Sequence, residues 1–175
     1  LVTSKYNERR NECDEALNTM KKAIPEAGCL RDVTPENFKN YSDLIENPVT
    51  RKRAEHVIFE CGRVIASRDA LLSGDIVKFG RLMNESHDSL RDLYEVTGIE
   101  LDTLVNAARK QKGCIGARMT GAGFGGCTVN IVEDEFLDEF IRNVEKIYAE
   151  KIGYKPSFYI TGAGDGGREL TEVPL

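Results

Sequence analysis

Gly116-Ala117-Arg118-Met119-Thr120-Gly121-Ala122-Gly123-Phe124-Gly125-Gly126-Cys127 is the stretch on which the reading of this chain turns. Six of its sixteen glycines fall between Gly113 and Gly126. Without a Cβ, glycine adopts φ > 0 and lies flat against a ligand or another chain segment, and the N–H groups of such a loop can converge on an anion. Gly121, Gly123 and Gly126 also fit the Gly-x-Gly-x-x-Gly spacing of dinucleotide-binding turns. That fingerprint needs a strand before the loop and a helix after it. Here Ala117–Thr120 reads as extended, and Cys127–Val132 alternates with the period of a strand. The loop is therefore expected to join two strands, at a place where backbone must approach something closely. Thr161–Gly167 nearly repeats Thr120–Gly126, but only eight residues follow it; no helix fits there, and a surface terminus is expected.

Upstream of the loop the apolar spacing is helical. Tyr6, Cys13, Ala16, Leu17, Met20 and Ile24 keep a period near 3.6. Thr34-Pro35 reads as a cap with proline in the first turn, opening a helix that Pro48 should close. Ala54, Val57, Ile58, Cys61, Val64 and Ile65 form the stripe of a longer helix stopping at Gly74. Asp75 caps a helix bearing Ile76, Phe79, Leu82, Met83 and Leu90, and Leu101, Leu104, Val105 and Ala108 mark another. Beyond the loop, Phe136 to Tyr148 is helical in spacing, and Ser157–Thr161 is predicted to be a last strand. The expected class is α+β, one domain over residues 1–175, with a small antiparallel sheet covered by several helices.

Composition narrows the function classes. At 175 residues with 41% hydrophobic and 30% charged residues, the chain is an ordinary globular domain burying roughly 70% of its unfolded surface. A net charge of −5 argues against a general nucleic-acid surface, and Arg51-Lys52-Arg53 reads as a solvated helix face. No run approaches the ~20 apolar residues of a membrane span. Five widely spaced cysteines without a Cys-x-x-Cys pair suggest reduced, mostly buried thiols of a cytoplasmic protein. Ser86-His87-Asp88 cannot be a triad, because neighbours on a helix do not face each other; His87 and His56 are expected to be structural. No His, Asp and Glu grouping has metal-ligand spacing. Tyr6-Asn7-Glu8-Arg9-Arg10 is a dense polar group: the tyrosine tip can bond a hydroxylated ligand and Arg9 or Arg10 can pair with a carboxylate or phosphate. It also reads as an ordinary solvated helix start.

The stretch from Gly116 resembles the third signature motif of the GHMP kinases, in the form used by the galactokinases. Ser4-Lys5-Tyr6-Asn7-Glu8-Arg9-Arg10-Asn11-Glu12-Cys13 is similar to the helix that begins the second half of those enzymes. Arg53-Ala54-Glu55-His56-Val57 with Glu60 and Arg63-Val64, then Gly74-Asp75, Phe79-Gly80 and Leu82-Met83, follow the middle of the pattern; Ser86-His87-x-Ser89-Leu90 and Glu100-Leu101-Asp102-x-Leu104-Val105 complete it. The resemblance implies a ferredoxin-like C-terminal domain. It implies transfer of the ATP γ-phosphoryl group to the anomeric hydroxyl of galactose, with Mg2+. Tyr6 would contact the sugar, and Thr120, Gly121, Ala122, Gly123, Phe124, Gly125 and Gly126 would line the phosphate pocket. The family's sugar-recognition signature, its Gly-Leu-Ser-Ser-Ser type loop and its catalytic aspartate are not found in this sequence. With Leu1 in place of a methionine, the chain is expected to be a C-terminal part, inactive alone and monomeric, with no catalytic residue or metal ligand of its own. A kinase for a related sugar such as N-acetylgalactosamine, or a non-catalytic sugar and ATP sensor, would share these motifs.

Overall fold

The computed structural model describes residues 2–164. Helix α1 spans Val2–Met20, α2 Pro35–Tyr41, α3 Pro48–Leu72, α4 Ile76–Ser89, α5 Ile99–Ala108 and α6 Leu137–Ile152; the strands are β1, Cys114–Thr120, and β2, Cys127–Val132. The α+β class with a small antiparallel sheet under several helices is therefore what the chain forms. Its helix starts follow local chemistry. The Thr34 side chain accepts from the Asn37 N–H at 3.1 Å, Asn47 from Val49 at 2.9 Å and Asp75 from Lys78 at 2.9 Å, each satisfying an orphan donor of the first turn. Pro48 opens α3 where a terminator of the previous helix was expected. Helix α2 has already ended at Tyr41 and passed into a 3-10 turn at Ser42–Leu44, and a proline at the first position of α3 gives up no helical hydrogen bond.

Three apolar clusters lie among the described residues, the smallest around Leu90, Val96, Leu101 and Met119. Helices α1 to α3 close around Ala16, Met20, Phe38, Ile45, Ala54 and Ile58, and α5, α6 and β1 close around Val105, Ala108, Ala117, Phe140 and Val144. The hairpin pairs Arg118 with Val129 and Thr120 with Cys127, with an irregularity between Cys114 and Gly116. The edge of β1 away from β2 is met by side chains of α4 and α5. Ala117 N–H donates to Asn84 Oδ1 at 3.0 Å and Met119 N–H to His87 Nδ1 at 3.2 Å, while Arg109 Nη2 donates to the Ala117 carbonyl at 3.2 Å. Side chains thus replace a neighbouring strand and blunt that edge. The contact is close because Gly80 and Gly116 face each other: a Cβ on Gly116 would lie 2.6 Å from the Gly80 Cα, and one on Gly80 2.1 Å from the Ile115 carbonyl oxygen.

Ser157–Thr161 is not a strand. Its apolar alternation is real, since Phe158 packs against the Val105 and Phe140 cluster. A strand also needs a partner to take its N–H and C=O groups, and none lies beside it among the described residues, where Tyr159 and Ile160 are exposed. The sheet therefore has two strands among the described residues. The near-repeat of the glycine motif falls partly outside the described residues; Thr161–Gly164 is irregular and exposed.

Candidate functional site

The glycine loop, residues 121–126, closes the β1–β2 hairpin and is followed directly by a strand. The expected inter-strand connection is thus present, and a dinucleotide turn is not. Gly121, Gly123 and Gly125 all have positive φ, and so does Phe124 at 54°. Gly121, Ala122, Gly125 and Gly126 are exposed, whereas Gly123 and Phe124 are half-buried. Phe124 packs on Val96, Leu101 and Met119, and its N–H donates to the Val96 carbonyl at 2.8 Å. Gly123 sits so close that a Cβ would lie 2.1 Å from the Val96 oxygen. The loop is therefore pinned at its middle and open at its two ends.

Tyr6 is 64% exposed on α1 and lines a groove of about 440 Å³ with Arg10, Cys13, Leu30, Cys61 and Tyr94. Thr120, at the mouth of the glycine loop, lines a different groove of about 750 Å³ between α3, α4 and the open face of the hairpin. Among the described residues Tyr6 and Thr120 thus line different grooves. In the larger groove Arg63 Nε donates to Glu60 Oε2 at 2.6 Å, Ser86 donates to Glu60 Oε1, and Arg118 Nη1 lies 3.5 Å from the same oxygen. Burial works against that carboxylate, but the Ser86 hydroxyl and the Arg63 guanidinium hold its pKa below the usual range.

The arginines depart furthest from their expected roles. Arg10 is exposed and paired with Asp14 at 3.1 Å. Arg9 is 5% exposed, bonded to the carbonyls of Tyr94 and Glu95 and to Glu8 and Glu12; it is committed internally. Arg53, read as part of a solvated face, is 2% exposed and donates to Glu12, Glu95 and the Leu93 carbonyl. Its charge run hid it, because a helix turns each neighbour about 100° away from the last and one member of such a run can face inward. A basic residue one position before the apolar stripe that begins at Ala54 was the signal available.

Both histidines are internal, in keeping with the structural roles expected of them. Burial pushes the His56 imidazole down to about 4; its Nδ1 is hydrogen-bonded to Ser89 Oγ at 2.8 Å and its ring stacks on Tyr94 with centroids 4.6 Å apart. Burial, aided by Arg109, likewise lowers His87. Its Nδ1 accepts from Met119, which leaves the proton on Nε2, 3.2 Å from Asp102 Oδ1. The cysteines are free as expected, but four are only half-buried and Cys127 is exposed. Among the described residues no group of three or more His, Cys, Asp or Glu could hold a metal ion, and no helix is long and apolar enough to cross a membrane.

Residues 67–150 match the family described as GHMP kinases C terminal. These residues form a GHMP kinase C-terminal domain. It is 51% identical over 170 residues to a galactokinase of Clostridium acetobutylicum and 49% identical over 169 residues to one of Halalkalibacterium halodurans, in each case over 97% of this chain and 43% of the relative. The chain therefore spans less than half the length of the curated relatives it matches. A crystal structure of Lactococcus lactis galactokinase complexed with galactose superposes with a TM-score of 0.87 at 46% identity, over 89% of this chain and 40% of that one. The chain is thus similar in both sequence and fold to the corresponding part of those galactokinases.

Proposed function

We propose that this chain is the C-terminal part of a galactokinase, an enzyme that moves the ATP γ-phosphoryl group to the anomeric hydroxyl of galactose in the cytoplasm. The observation that carries the reading is the match to galactokinases along 97% of the chain at about half identity, which takes in both Tyr6 and the glycine loop. In this reading the exposed Tyr6 hydroxyl bonds the sugar, and Thr120–Gly126 forms one wall beside the transferring phosphoryl group. The open glycines at the ends of that loop let backbone approach the phosphate without side chains intervening. Phosphoryl transfer depends on positioning and charge neutralisation more than on covalent chemistry, and positioning is what this domain supplies. Magnesium serves the reaction by neutralising phosphate charge. This reading assigns its ligands and the catalytic base to the part of galactokinases that the present chain does not span.

The test compares this chain alone with its full-length parent. The parent should turn over ATP and galactose, and the 175 residues alone should not. In the parent, Tyr6→Phe should raise the galactose KM roughly tenfold or less, the worth of one hydrogen bond, with the ATP KM little changed. Gly123→Val should abolish most turnover, since a β-branched residue resists φ > 0 and would meet the Val96 oxygen. Parent protein without galactose-dependent turnover refutes the proposal, and equal effects of Tyr6→Phe on both substrates remove Tyr6 from the sugar site.

A further inference from the structure

Four successive carbonyls, Leu93 to Val96, are each taken by a donor from elsewhere in the fold. Arg53 Nη1 on α3 donates to the Leu93 oxygen at 2.5 Å. Arg9 on α1 donates through Nε to Tyr94 at 2.7 Å and through Nη2 to Glu95 at 3.2 Å. The Phe124 N–H of the glycine loop takes Val96 at 2.8 Å. This strap runs from the π-turn at Leu90–Tyr94 into Glu95, whose φ of 56° is left-handed, a conformation that costs a non-glycine residue free energy unless its surroundings hold it. What holds it is the Arg53 fork: Nη2 takes the Glu95 carboxylate at 2.7 Å and Nε takes Glu12 at 2.9 Å. Glu12 also accepts from Arg9 at 3.1 Å, so one carboxylate ties the two guanidiniums together.

Burying two guanidiniums is a costly way to stabilise a fold, and apolar side chains of similar volume often serve as well. A guanidinium has one property that they lack: a rigid planar fork that spans two acceptors at fixed angles. The strap lies between the two ends of the proposed site. Tyr6 is three residues before Arg9 and so on the same side of α1, and Tyr94 of the strap lines the Tyr6 groove. Val96, its other end, is the residue on which Gly123 and Phe124 rest. We propose that Arg9 and Arg53 are positioning residues, which lock the Leu93–Val96 strap and through it set the glycine loop in register with the Tyr6 helix. This rests on the galactokinase reading for what the two ends bind. A displacement of about 1 Å between reacting groups can cost roughly a hundredfold in rate, so the strap acts on turnover without touching substrate.

The test uses the full-length chain. Arg9→Lys keeps the charge but cannot bridge two adjacent carbonyls, and Glu95→Gln weakens the Arg53 clamp from its half-exposed side. In Arg9→Lys, kcat should fall roughly 10- to 100-fold with the galactose KM moving less than about threefold, while the amides of residues 121–126 exchange at least roughly tenfold faster. Glu95→Gln should show the same pattern more weakly, and it alone decides if Arg9→Lys does not fold. Loop exchange unchanged in the folded variants overturns the proposal, as does a fall in kcat without faster loop exchange. A wild-type parent that lacks galactose turnover refutes the functional reading only; the exchange measurement then still decides the strap.

Discussion

The half of the molecule that carries Tyr6 and the half that carries the glycine loop are assembled by different means. Helices α1 to α3 meet through side chains, with Met20, Phe38 and Ile58 filling the space between them, and α3 has open space at Gly62. The hairpin half meets α4 backbone to backbone at Gly80 and Gly116, and its strand edge is served by Asn84, His87 and Arg109. Apolar packing tolerates adjustment of a side chain here or there, whereas a backbone contact has no slack. The loop half is accordingly the one in which single atoms matter. Between the two lies a polar junction, in which Arg9, Arg53, Glu12 and Glu95 join α1 and α3 to the Leu93–Val96 strap.

That comparison can be broken most forcefully at the junction. Arg53→Ala leaves the Leu93 carbonyl without its donor and Glu12 with Arg9 alone, and should cost about 3–5 kcal/mol, a fall in Tm of roughly 10 °C for a protein of this size; thermal unfolding measures it, and a loss below about 1 kcal/mol would show that the halves hold together without the junction. Acidification should act next. His56 is neutral in the fold at a value near 4 against the ordinary 6.5, so its unfolded form binds a proton first. Stability is therefore fully present above pH 6.5 and declines as pH falls towards 4, by up to about 3 kcal/mol. His56→Gln should make denaturation midpoints fall less steeply across that window, leaving the part that His87, also lowered by burial, contributes. The Glu95 carboxyl, held below its ordinary value by Arg53, contributes stability above its ordinary pKa that is lost as pH falls below it.

Smaller changes sharpen the contrast between the halves. Gly116→Ala in the hairpin half places a methyl against the Gly80 backbone and should destabilise by about 1–3 kcal/mol. Gly62→Ala in α3 meets nothing within 4 Å and should stabilise by up to about 1 kcal/mol, through helix propensity alone. The same methyl is thus expected to change sign between the two halves; equal signs in unfolding measurements would erase the distinction.

Much of this was written locally in the chain. The helix starts at Thr34-Pro35 and Asp75 and the hairpin around the glycine loop follow from residue chemistry within a few positions, because caps, turns and apolar periods are short-range effects. The resemblance to galactokinases lies in contiguous motifs for the same reason. Other features depended on partners far along the chain. Ser157–Thr161 has the composition of a strand, yet among the described residues it pairs with nothing, since a ladder needs a second edge. Arg53 reads as one charge in a solvated run and is instead buried 40 residues or more from its partners at Glu12, Leu93 and Glu95. The glycine loop is legible as a place of close approach; what it approaches within the chain, the Val96 carbonyl, is a neighbour that only the folded chain supplies. Local conformational preference is thus settled by the sequence itself, whereas which buried charge meets which carbonyl is settled only when the tertiary fold removes water from both.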